Sequence, residues 1–306
     1  MIEIRPEVAE ARQDLGPIVA LETTLVAHGF PNGEGLAVAL EAERRVREAG
    51  AVPATIGIVD GDIKVGLTED ELERFAAAGD GARKVGPRDI AVARARSELG
   101  ATTVGGTLTV CSRVGIRFLG TGGIGGVHRG FAVRPDVSAD LAAIARTQAL
   151  VVSSGVKSLL DVPATLEVLE SLGVPVAGWR TDTLPLFYSA TGGPTLGLRI
   201  DDAGEAARIA RAHWELGNAG LLLAQPPVES IEVESLIEES LAAANEAGIS
   251  GPALTPFVLG GLHDRSRGAT VRVNKRLIAD NAALAAAVSV AFSSRARPGS
   301  RRSSAR

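Results

Sequence analysis

Cysteine is almost absent: Cys111 is the one thiol in 306 residues. That excludes an internal disulfide framework and any cysteine-rich zinc or iron–sulfur centre. Cys111 itself reads as a small buried hydrophobe rather than a nucleophile. No stretch approaches the roughly 18 uninterrupted apolar residues of a membrane span. Residues 1–7 have neither the basic region nor the apolar run of a signal peptide, so a cytoplasmic protein without a membrane partner is expected. Positive charge is not in excess either. The net charge is −4 and the pI about 5.7, and five arginines after Ser294 (Arg295, Arg297, Arg301, Arg302 and Arg306) conceal a more acidic body. Nucleic acid is therefore not an expected partner. The chain also lacks a P-loop and a G-x-S-x-G elbow, which argues against NTPase and serine-hydrolase chemistry.

What is there suits a large core: 45% of residues are hydrophobic and 22% charged, too apolar for wholesale disorder. Short apolar runs end in glycine-rich turns and alternate with amphipathic stretches. Strands are expected at 18–24, 116–119, 150–153, 174–179 and 221–224, and helices near 35–49 and 159–172. Asp60-Gly61 between apolar runs at 53–60 and 63–66 signals a hairpin. The pattern predicts an α/β protein with layers around a mostly parallel sheet, to which the early hairpin adds an antiparallel part. No repeat or internal linker interrupts it, so one domain over residues 1–294 is expected, followed by a basic, disordered tail at 295–306.

Ligands of such sheets bind beyond the carboxyl ends of strands. Unusual polar residues gather there: Glu22 and His28, then Lys84, then Gly120-Thr-Gly-Gly-Ile-Gly-Gly126 with His128, Asp136 and Asp140, then Lys157. Of 32 cations only four are lysines (Lys64, Lys84, Lys157 and Lys275). Arginine cannot lose its proton in a protein, whereas a buried lysine can become a nucleophile. Lys84 and Lys157 are thus candidate amines, against the plain alternative of codon bias; Lys64 beside the hairpin reads as a solvated cation.

Gly120, Gly122 and Gly125 form a G-x-G-x-x-G, but a dinucleotide fingerprint must open directly into a helix, and Val127-His-Arg-Gly130 intervenes. The turn either offers N–H groups to a phosphate or lets backbones pass closely. Asp136 and Asp140 either hold a hard cation or mark a helix start, with Asp136 as N-cap. His28 and His128 follow strands without making a metal site by themselves.

Ala20-Leu-Glu-Thr-Thr24, Thr121-Gly-Gly-Ile-Gly-Gly-Val-His-Arg-Gly130 and Asp136-Val-Ser-Ala-Asp-Leu141 carry a resemblance, joined by residues 52–66, 84–89, 100–107 and 155–161. In order, these segments resemble the pseudouridine-5′-phosphate glycosidases, also called the indigoidine synthase A family. The resemblance implies a three-layer α/β/α fold with a mixed, mostly parallel central sheet, and a homotrimer that uses a divalent cation, usually manganese (Mn²⁺). It implies reversible cleavage of the C–C glycosidic bond of pseudouridine 5′-phosphate to uracil and ribose 5-phosphate. By motif, Lys157 is the nucleophile that forms a Schiff base with C1′, and Glu22 the acid/base group. Asp136 is the metal ligand. Lys84, Val104, Ser138, Ala139 and Asp140 match substrate-contacting positions, with His128 and Asn274 as further active-site residues. The chain departs from the family after His28-Gly-Phe-Pro31, and again at residues 180–185.

The chemistry fits these residue types. A C–C glycosidic bond offers no leaving-group heteroatom to protonate, so two-carboxylate glycoside hydrolysis does not apply. An iminium at C1′ supplies an electron sink, and uracil C5 must gain a proton as it leaves. Lys157 must shed its proton to attack, which nearby Lys84 or a dry pocket would promote. Arg129 and the glycine turn are candidates for the phosphate. Two other readings stay open: a Schiff-base aldolase or lyase on another sugar phosphate, and a non-catalytic binder of a phosphorylated nucleoside.

Overall fold

The computed structural model describes residues 1–133, 135–249 and 254–294; the expected basic tail lies outside them. The strands are β1 (Ile2–Ile4), β2 (Ile18–Leu21), β3 (Val52–Val59), β4 (Asp62–Val65), β5 (Arg83–Val85), β6 (Gly100–Thr102), β7 (Phe118–Gly120), β8 (Val127–His128), β9 (Leu150–Ser153), β10 (Leu160–Asp161), β11 (Val176–Trp179), β12 (Arg199–Ile200) and β13 (Leu221–Ala224). The helices are α1 (Pro6–Gln13), α2 (Thr24–His28), α3 (Gly35–Glu48), α4 (Glu69–Ala78), α5 (Ile90–Ala95), α6 (Val104–Val114), α7 (Ala139–Arg146), α8 (Val162–Ser171), α9 (Ala203–Glu215), α10 (Glu234–Glu246), α11 (Leu254–Arg265) and α12 (Ala269–Ser294).

Strands β3-β2-β7-β9-β13-β11-β12 form a parallel sheet in that order. The hairpin β3–β4 adds the antiparallel part, with β1 parallel to β4, and β6 and β5 branching from the far half of β3. At its turn Asp60 and Gly61 both have positive φ (52° and 85°), as a two-residue hairpin of this hand requires. The central strands β2, β9 and β13 are buried along their whole length, which is why they read as continuous apolar runs rather than alternating ones.

Helices cover both sides of the sheet. On one, α12 packs on β2, β7 and β9, flanked by α3 and α9. This 26-residue helix is long and apolar enough to cross a membrane by length and composition. Here it is a core helix instead, with Leu277, Ala282, Ala285, Ala286 and Val288 buried. The backbone of β7 comes so near that a Cβ at Gly120 would lie 2.9 Å from the Ala282 Cα. Helices α6 and α7 pack on each other; Thr103 caps α6 and Ser138 caps α7 through their side chains.

Two boundaries differ from expectation for identifiable reasons. The strand expected to reach Thr24 stops at Leu21, because Thr24 already opens α2. The helix expected from residue 159 starts at Val162: Leu160 and Asp161 first pair with β8, and the Asp161 side chain then caps α8. The glycine run after β7 leads into β8, not into a helix, so the chain holds no dinucleotide fingerprint there.

Candidate active site

Strand order reverses around β2: β3 lies on one side of it and β7 on the other. Crevices open at the carboxyl ends of strands at such a point, and a cavity of about 360 Å³ lies there. Glu22 follows β2 and Lys157 follows β9; Lys84 comes from β5, His128 from β8, and Asp136, Ser138, Ala139 and Asp140 from the approach to α7. Asn274 reaches the cavity from α12. Arg129 apart, the expected residue that does not line the cavity is Val104. It is the first residue of α6 and its side chain is buried in the core, while its neighbour Thr103 faces the cavity.

Glu22 is 4% exposed. Its carboxylate accepts hydrogen bonds from the Thr24 and Thr121 hydroxyls, one on each oxygen. Burial pushes its carboxyl above the ordinary glutamate range, opposed by the charge of Lys157 and by both hydroxyls, and reinforced by Asp140. Lys157 is carried by a tight turn whose backbone exchanges bonds with the glycine run: Ile124 N–H donates to Gly155 O and Lys157 N–H to Ile124 O, both at 3.1 Å. Gly155 makes that turn possible, with φ of 80° and a Cβ position only 2.2 Å from the Pro185 carbonyl oxygen. Lys84 is half-buried; burial, then the charge of Lys157, hold its amine below the ordinary lysine range, with Asp140, Glu22 and Asp136 opposing. The two amines and the carboxylates therefore sit within one another's fields, the arrangement expected of a reactive centre.

Asp140 is not a helix cap and neither is Asp136; Ser138 caps α7 by accepting from Asp140 N–H at 3.2 Å. Asp140 is a buried strut instead. One oxygen accepts from Gly105 N–H at 2.8 Å and the other from Gly125 N–H at 2.9 Å, tying the start of α6 to the glycine run. At Gly125 a Cβ would fall 2.2 Å from Ser138 Oγ, so the close approach of the Ser138 and Asp140 side chains explains this glycine. Asp140→Ala is expected to cost about 3 kcal/mol, because two backbone donors lose a charged acceptor. Urea unfolding should show the lower midpoint at unchanged slope; equal midpoints would show that the strut is dispensable.

His128 Nε2 lies 3.9 Å from Asp136 Oδ2. Burial holds the imidazole below its ordinary pKa, opposed by Asp136 and helped by the charges of Lys84 and Lys157. Among the described residues no three His, Cys, Asp or Glu side chains converge as a metal cage. One carboxylate beside one imidazole suits a hard divalent ion that keeps most of its water, and does not suit a closed site.

Arg129 is not at the cavity. Its guanidinium grips the Glu234 carboxylate and donates to the Ser158 carbonyl at 2.9 Å, fastening β8 to α10. Arg88, which sequence reasoning passed over, lines the cavity and is exposed. Nothing but its place beside Lys84 could have drawn attention to it. His28 also lines the cavity, its Nε2 held 3.0 Å from the Ala82 carbonyl oxygen. Cys111 is buried, with its thiol pushed up to about 12, as an inert core residue should be.

Known proteins share this architecture. A family model described as indigoidine synthase A like protein matches residues 7–291. A protein of Herpetosiphon aurantiacus named pseudouridine-5′-phosphate glycosidase is 45% identical over 295 residues, covering 94% of this chain and 97% of its own. The crystal structure of the prealnumycin C-glycosynthase AlnA, in complex with ribulose 5-phosphate, superposes with a TM-score of 0.88 at 41% identity, covering 97% of this chain and 98% of its own. An indigoidine synthase A-like protein from Thermotoga maritima gives a TM-score of 0.86 at 37% identity, covering 96% of this chain and 97% of its own. On sequence and fold alike, this chain belongs to the indigoidine synthase A-like family.

Proposed function

We propose that the chain catalyses reversible cleavage of pseudouridine 5′-phosphate to uracil and ribose 5-phosphate, with Lys157 as nucleophile and Glu22 as acid/base group. The observation that carries this reading is one cavity that presents an amine and a buried, hydroxyl-held carboxylate from the strand ends on either side of β7. The relatives' names, and a pentose phosphate bound by the C-glycosynthase, support it.

In the degradative direction Nζ of neutral Lys157 bonds to C1′ as the C1′–O4′ bond breaks, and the proton that the now cationic nitrogen sheds ends on O4′, leaving a neutral secondary amine with its lone pair. Uracil C5 then gains a proton from Glu22. The C1′–C5 bond breaks with its electron pair going to the uracil ring, and the nitrogen lone pair makes the iminium. Water adds at C1′ and the amine leaves, giving the aldehyde of ribose 5-phosphate. Lys84 and Arg88 supply cationic charge for the phosphate in place of Arg129. Manganese belongs to the proposal: Asp136 would hold it, with His128 beside it. Bound there it would neutralise charge on substrate oxygens.

The test is ultraviolet absorbance of the protein with uracil, ribose 5-phosphate and Mn²⁺, repeated with a chelator. Formation of pseudouridine 5′-phosphate is the expected result, reduced by chelation. A borohydride-trapped ribose 5-phosphate adduct without that product would replace this reading by an aldolase or lyase. Neither product nor adduct would leave a binding protein.

A further inference from the structure

We infer that Thr24 and Thr121 are positioning residues for Glu22: together they fix the carboxylate in one orientation and keep it ready to exchange a proton. The inference rests on the acid/base role proposed above. Its ground is the geometry of the strand ends. Leu21 on β2 is paired with Gly120 on β7, so the next residues along, Glu22 and Thr121, emerge side by side. Thr121 donates to one carboxylate oxygen, and Thr24, in the first turn of α2, donates to the other. Thr121 is itself anchored: its N–H donates to Val152 O at 3.0 Å, and its carbonyl accepts from Asn281 Nδ2 at 2.8 Å. The same Asn281 amide reaches Ser154 Oγ at 3.1 Å, on the segment that leads to Lys157. One buried amide on α12 thus braces the supports of both reacting groups.

A hydroxyl suits this place because it works in both protonation states. It donates to a carboxylate, and by rotating its hydrogen it accepts from a carboxylic acid. A methyl group in the same volume does neither. The other charged groups facing Glu22 are Lys157 from the turn after β9, Lys84 from β5 and Asp140 from α7. Without the hydroxyls these would set its protonation against the full cost of burial.

The test uses Thr121→Val, Thr24→Val and Thr121→Ser in the whole protein. Two measurements are made on each: the pH dependence of kcat, and an isotope-edited infrared titration of the Glu22 carboxyl with Glu22→Gln as blank. Each valine variant should lower kcat about tenfold and move the acid limb and the infrared midpoint up by about one pH unit, since a charge-stabilising hydrogen bond is lost. Thr121→Ser should restore both. Thr24→Val keeps the test alive if Thr121→Val does not fold. Unmoved infrared midpoints in both valine variants would overturn the inference. If the wild type does not act on pseudouridine 5′-phosphate, the proposed function fails, and the infrared midpoints still decide the clamp.

Discussion

Lys157→Ala is expected to abolish uracil-dependent formation of pseudouridine 5′-phosphate, by about 10⁴-fold or more, and to remove the borohydride-trapped adduct altogether. Losses of this size follow when the covalent route itself is deleted, because the remaining groups were arranged to serve an iminium that can no longer form. Lys84 does not take over, although it is the amine that burial and a neighbouring cation hold below the ordinary range. It stands on β5, at the branch of the sheet, while the Lys157 turn is fastened to the glycine run beside Glu22. The check is paired: product by absorbance and the adduct by mass. A Lys157→Ala protein that still gave an adduct, on Lys84 for instance, would overturn the assignment of nucleophile.

Glu22→Gln should separate the two halves of the reaction. The proton at uracil C5 loses its carrier, so kcat should fall by about 10²–10⁴-fold, while Lys157 still forms the trapped adduct with ribose 5-phosphate. Loss of the adduct as well would mean that Glu22 acts earlier than the C–C bond. The same substitution should stabilise the protein near neutral pH. Burial raises the folded-state pKa of Glu22 above its unfolded value. The folded protein therefore binds more protons than the unfolded chain between those two values, and stability falls as pH rises through that window. Above it the whole cost is present, and glutamine removes it; below the unfolded value the two proteins should converge. Thermal melts of wild type and Glu22→Gln across this range give the sign directly. Equal pH dependence would show that the carboxyl is not burdened by burial.

Much of the sheet is legible because its central strands are buried on both faces: Leu150–Ser153 and Leu221–Ala224 are bounded by Ser154-Gly155, Gly220 and Gln225-Pro226, and the structure has both strands at those bounds. α12 is not legible, because its polar side stops at Asp280: the half-exposed positions beyond it, Ala283 and Ala287, are alanine, so no continuous polar stripe marks its period. The site residues came from motif rather than periodicity, and the structure shows why neither could supply the rest. Thr24 and Thr121 matter through their hydrogen bonds to Glu22, of which the one from Thr121 joins the end of β2 to the end of β7, and nothing in the sequence registers that pairing. Arg129 sits in the specific motif yet is spent on Glu234, 105 positions away, whereas Arg88 lines the cavity from a short turn with no signature. Asp136 resembled a helix cap because carboxylates and hydroxyls compete for that role on equal terms; Ser138, two residues nearer, has the place.

The order in which the ribosome releases these elements sets a further condition. Every strand precedes α12 in the chain, so β2, β7 and β9 emerge with one apolar side uncovered until residues 269–294 arrive. Asn274 and Asn281 arrive with them. Until then the nascent protein holds Glu22 and Lys157 without the Asn281 amide that ties their segments together, and presents a greasy sheet to whatever is nearby. Stalled or prematurely ended synthesis would therefore yield aggregation-prone chains and not a weak enzyme, and a pause before α12 is the point at which this protein most needs a chaperone.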